Sequence, residues 1–90
     1  MRTDEQIRQV LERVREALAE ESRRLGYRVA VSGPDGYVQE GDWLNVLVAP
    51  DREGVHAAEF AEALGRVDRK LRQQGIESVL LVPAKPGLAA

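Results

Sequence analysis

Apolar residues recur at helical spacing over residues 4–25. Ile7, Val10, Leu11, Val14, Leu18 and Leu25 form one stripe, with Ala17 and Ser22 as small neighbours. One apolar face at a period of about 3.6 residues predicts an amphipathic helix. Thr3 and Gln6 read as a capping box, in which the hydroxyl and the amide each satisfy an orphan backbone N–H. Asp4 and Glu5 complement the positive helix start, Arg23 and Arg24 the negative end, and Gly26 stands where the helix should stop. Such a helix is about 33 Å long, roughly the diameter of a domain of this size.

The pattern then changes to a period of two. Tyr27, Val29 and Val31 alternate with Arg28, Ala30 and Ser32, which predicts a half-buried strand over 27–33. Gly33-Pro34-Asp35-Gly36 has turn chemistry, and residues 37–40 have room for a brief pairing before Gly41-Asp42 bends the chain. Residues 43–49 are the least polar segment and predict a second strand. Pro50-Asp51 stops it, with Asp51 the expected N-cap of a second helix and Gly54 its rival. Ala57, Phe60, Ala61, Leu64, Val67 and Leu71 form that helix's apolar stripe, which ends at Gly75. Glu62 and Arg66, and Asp68 and Arg72, are spaced for i,i+4 ion pairs. Residues 76–82 predict a third strand, cut by Pro83.

The order α-β-β-α-β predicts an α+β fold, a two-layer α/β sandwich: a three-stranded mixed sheet with both helices on one face. Residues 1–83 form one domain in this reading, and residues 84–90 a flexible tail. Two helices cover only one face of a sheet, so the other face should be polar. The second strand breaks that rule, because Trp43, Leu47 and Ala49 oppose Leu44, Val46 and Val48. The third strand is also apolar on both sides. Soluble monomers rarely expose an apolar patch above roughly 300–600 Å². A homodimer is therefore expected, with Trp43, Leu47 and Ala49 on its interface. The competing expectation is that the segment 33–42 folds back as a lid, with Tyr37 and Val38 covering the patch.

Composition removes most other functions. The 90 residues hold no cysteine, one histidine, three serines and a net charge of −2. No disulfide scaffold, zinc finger or thiol nucleophile can be built. There is no apolar run near the roughly 18 residues a membrane span needs, and no secretory signal pattern, so a cytoplasmic chain without a membrane partner is expected. Arg outnumbers Lys 11 to 2. That bias is compatible with a thermophilic protein or with GC-rich coding.

The remaining polar constellations are weak. His56 lies near the start of the second helix with no nucleophile placed beside it. Asp42 and Asp51 flank a strand and stand about 25–30 Å apart, too far to act as a pair. Asp35 and Asp42 could approach in their loop and hold Mg²⁺, but turn chemistry alone accounts for Asp35. No catalytic residue, metal site or cofactor is assigned. Should a small ligand bind, the loop residues Asp35, Tyr37 and Asp42 beside Trp43 are where we expect it. Arg66, Arg69, Lys70 and Arg72 near the end of the second helix, and Arg23, Arg24 and Arg28 near the end of the first, are the candidate phosphate contacts of a nucleic-acid reading. The acidic balance of the chain opposes that reading, and nucleic acid is not the expected partner.

Two outline resemblances qualify this picture. Ser32-Gly33, followed by Asp42 and an apolar strand, resembles the minimal nucleotidyltransferase pattern, in which a Gly-Ser turn precedes a strand opened by an Asp-x-Asp pair that holds Mg²⁺. Here the order is Ser-Gly and Asp42-Trp43-Leu44 lacks the second acid, so the resemblance implies a catalytically dead or small-ligand-binding relative. The order α-β-β-α-β is also similar to the K-homology RNA-binding domain, but the Gly-x-x-Gly loop between helices is missing. The leading expectation is a small, non-enzymatic, self-associating interaction module.

Overall fold

A computed structural model describes residues 2–85. The chain forms α1 (Asp4–Leu25), β1 (Val29–Val31), β2 (Tyr37–Glu40), β3 (Trp43–Pro50), α2 (Ala57–Gln73) and β4 (Val79–Pro83). It is the expected two-layer α+β fold, with four strands rather than three, because residues 37–40 pair with β3 as a strand of their own. Of the tail predicted over 84–90, residues 86–90 lie outside the described residues.

Helix α1 has the ends its sequence dictates. The Thr3 hydroxyl accepts from the Gln6 N–H at 3.2 Å, and the Gln6 amide oxygen accepts from the Thr3 N–H at 2.9 Å. Gly26 closes the helix in the left-handed region, its N–H donating to the Ser22 carbonyl. The stripe Ile7, Leu11, Val14 and Leu18 is buried against the sheet.

Helix α2 starts later than expected. His56, not Asp51, stands at its N-cap and makes no side-chain bond there. Asp51 is unavailable for capping. Its N–H donates to the Arg28 carbonyl, extending the β1–β3 pairing, and its carboxylate accepts from Arg52 Nε. Of the two i,i+4 pairs read from the sequence, Asp68 and Arg72 meet at 3.1 Å. Arg66 turns instead to Glu21 of α1, with Nε 2.7 Å from Oε1, which joins the two helices.

Strand β3 is the centre of the sheet. It pairs antiparallel with β1 through residues 48–50 and with β2 through residues 43–46, and parallel with β4 through residues 44–48. Because the β4 register overlaps both of the others, β1 and β2 share one edge of β3 and β4 takes the other. β1 and β2 are thus one interrupted strand. The Gly33-Pro34-Asp35-Gly36 segment does not reverse the chain; it loops out as a bulge. Leu47 closes it, its N–H donating to the Gly36 carbonyl and its carbonyl accepting from the Ser32 N–H, both at 2.8 Å. The true reversal is the two-residue Gly41-Asp42 hairpin between paired Glu40 and Trp43. Gly41 has φ 57 there, as a Gly-first hairpin turn requires.

Both helices cover one face. Leu44, Val46 and Val48 of β3 are fully buried beneath them, with Val29, Val31 and Val79 beside them. Alternation sends the intervening residues to the other face.

Candidate functional site: the open sheet face

Cross-strand partners share a face, so the register defines the composition of the uncovered side. One row across the sheet is Val38, Asn45 and Leu80. Leu47 and Val82 form the next, and Ala30 and Ala49 a third. Glu40 and Trp43 pair at the hairpin end. The only polar groups in these rows are Asn45 and Glu40, and they are spent on each other: Asn45 Nδ2 donates to Glu40 Oε1 at 2.7 Å. The rest is apolar and partly solvated. Val38, Trp43 and Leu80 are 52%, 48% and 51% exposed.

The residues read as interface candidates therefore differ in what they offer. Trp43 is half exposed, Leu47 is partly covered, and Ala49 is already buried with little surface left to give. Val38 and Leu80 complete the patch. Leu80 was visible in the two-sided apolar pattern of its strand. The competing expectation, a lid over 33–42 with Tyr37 and Val38 covering the patch, is not met: residues 37–40 are a sheet strand, and Val38 is itself exposed on the open face.

Trp43 also borders a shallow groove of about 360 Å³ along the unpaired side of β4, with Leu64, Gly65 and Leu81. Leu44 N–H bonds the Ser78 carbonyl and Ala84 N–H bonds the Val48 carbonyl, so even-numbered residues of β4 face β3. Val79, Leu81 and Pro83 turn their backbones outward. Pro83 has no N–H to offer an incoming strand, which shortens the usable edge.

The candidate ligand loop is not assembled. Asp35 sits in the bulge, where its carbonyl accepts from the Tyr37 N–H at 2.8 Å. Asp42 sits in the hairpin, where its carbonyl accepts from Arg2 Nη1 at 3.3 Å. Strand β2 holds the two apart by roughly 20 Å, so they cannot share a cation. Among the described residues, no group of three or more His, Asp or Glu could hold a metal ion. No described helix is long and apolar enough to cross a membrane.

The basic run on α2 is largely neutralised in place. Arg66 pairs with Glu21, Lys70 with Glu20 and Arg72 with Asp68, which leaves Arg69 of that group. At the other end of the sheet, Tyr27 donates its hydroxyl to Glu59 Oε1 at 3.2 Å. Partial desolvation, and then Glu59, push the Tyr27 phenol above its ordinary value. The Arg52 hydrogen bond holds the Asp51 carboxyl below the usual range.

No protein-family model matches the chain, and no curated protein or solved structure is significantly similar to it. The functional reading therefore rests on the geometry of this chain alone.

Proposed function

We propose that the protein is a small non-enzymatic assembly module that pairs with a second copy of itself through the open face of its sheet. The supporting observation is the cluster of Val38, Trp43 and Leu80, each about half exposed, in rows whose two polar side chains, Asn45 and Glu40, bond each other. A half-covered antiparallel sheet that works alone carries polar residues on its wet side. This face instead has the composition of a buried layer, and a two-fold contact would bring the same patch of each copy together. Trp43 is the anchor of the contact, since large aromatic side chains dominate interface energetics. Leu47 and Leu80 form its centre. On composition we place the protein in the cytoplasm, and its arginine bias fits a thermophilic source.

Sedimentation equilibrium at tens of micromolar tests the pairing. The expected result is a species of twice the 10.0 kDa chain mass. Trp43→Glu and Leu80→Glu should each return a folded species of single chain mass, because a charge placed in a desolvated contact is costly. A chain that sediments as a single copy at these concentrations overturns the proposal.

A further inference from the structure

A second surface carries the opposite chemistry. Between the C-terminal half of α1 and the outer edge of β1 lies a cleft of about 730 Å³, within the usual size range of small-ligand sites. Its floor is hydrocarbon, from Leu18, Ala19, Val29 and Val31. Arg15, Arg23, Arg28 and Arg52 stand around it, and its lining holds no carboxylate.

What marks the cleft is that four arginines share one concavity with no acid in its lining. Elsewhere Arg8 pairs with Glu5, Arg66 with Glu21, Lys70 with Glu20 and Arg72 with Asp68, while Arg13, Arg24 and Arg69 are exposed cations outside the cleft with no ion pair among the described residues. Arg15, Arg23 and Arg28 have no ion-pair partner among the described residues. Arg52 bonds Asp51 and lies 5.7 Å above the Tyr27 ring. Like charges gathered around one concavity repel, and their field attracts anions even to a protein of negative net charge. Arg15 and Arg23 lie eight residues apart on one helix face, about 12 Å along the axis. That span suits an elongated anion better than a single phosphate or carboxylate.

The edge of β1 indicates the kind of ligand. Val29 turns its backbone away from β3, but Ser22 closes it: the Ser22 hydroxyl accepts from the Val29 N–H at 2.9 Å and also lies 3.2 Å from the Val29 carbonyl. By the same alternation Val31 faces outward at the cleft wall, its N–H an available donor. One open residue is too little edge for a peptide strand, but it adds a hydrogen bond to an anion held by guanidinium groups.

We propose that this cleft binds a small organic anion with more than one phosphate, of the nucleoside diphosphate class. Arg15, Arg23 and Arg28 hold the phosphates as multidentate donors. The organic body lies on the Leu18, Val29 and Val31 floor. The site adjoins the open sheet face at Ala30 but includes none of Val38, Trp43 and Leu80, and it does not depend on pairing there.

Titration of the ¹⁵N-labelled chain with metal-free ADP tests this. Binding is expected with a Kd below about 1 mM, with the Val31 and Gly33 amides shifting and those of Val38 and Leu80 still. The double variant Arg15→Gln/Arg23→Gln should weaken ADP by about tenfold or more. Arg13→Gln/Arg69→Gln makes the same charge change outside the cleft and should weaken it less than about twofold. All four arginines are exposed, so both variants should fold. Three results would each overturn the assignment: no shift at about 1 mM ADP, equal losses in the two variants, or citrate binding as tightly as ADP. Tight binding of an oligothymidylate that ADP fails to displace would replace the small ligand with a nucleic-acid strand.

Discussion

At the scale of single residues, two glycines on this chain have opposite roles. A Cβ on Gly36 would lie 2.4 Å from the Ser32 carbonyl oxygen, inside the bulge that Leu47 closes. Backbone cannot yield as a flexible side chain can. Gly36→Ala should therefore cost about 1–3 kcal/mol, seen as an earlier midpoint in urea. Gly65 lies in the middle of α2 with nothing within 4 Å of its missing Cβ. There Gly65→Ala should stabilise by about 0.5–1 kcal/mol, because the helix no longer orders a glycine. Arg66 supplies a third case. Its partner Glu21 has a side chain only 9% exposed. Removing Arg66 leaves that carboxylate without its cation, and Arg66→Ala should cost about 1.5–3 kcal/mol. Arg72→Ala, at an exposed pair, should cost less than about 1 kcal/mol by the same measurement.

At the scale of elements, what the sequence made legible was set by how local each determinant is. The capping box of α1 and its Gly26 stop lie within a few residues of the turns they close, and both form as read. The alternation of β3 between Trp43, Asn45, Leu47 and Leu44, Val46, Val48 is also local, and so the two-sided apolar strand was visible. The Gly33–Gly36 segment was not, because its residues suit a reversal and a bulge equally well. Which one forms depends on Leu47, eleven residues beyond Gly36. The start of α2 was missed for a similar reason: Asp51 has a good capping side chain, but its backbone is taken by Arg28 across the sheet. The arginine cleft was half legible. Arg23 and Arg28 are close in sequence, whereas Arg15 and Arg52 reach the same cavity only once α1 packs beside β1. A titration reads the same packing. Tyr27 is held protonated by desolvation and by Glu59, so its folded-state pKa lies above its unfolded one. The stability this gives is present below the ordinary tyrosine pKa and is lost as pH rises through the folded value. Absorbance titration should show Tyr27 ionising later than free tyrosine, and Glu59→Gln should bring it part of the way back.

At the scale of the whole molecule, the described chain measures 36 × 28 × 18 Å. The short dimension is one layer of helix on one layer of sheet, which leaves a broad apolar side with no third layer. If a second copy supplies that layer, folding and association are linked by mass action. The midpoint of thermal unfolding should then rise with protein concentration, whereas that of Trp43→Glu should not. A midpoint independent of concentration in the unmodified chain would separate stability from pairing.

The looped segment between β1 and β2 has one more consequence. Both flanking strands are registered against β3 independently, and the Ser32 and Gly36 backbones are tied to the same residue, Leu47. Extra length introduced at Pro34-Asp35 would therefore be absorbed as slack without sliding either strand. This makes the tip a natural port for grafting a peptide epitope or a reporter tag, at the edge of the sheet rather than among Val38, Trp43 and Leu80 of its open face.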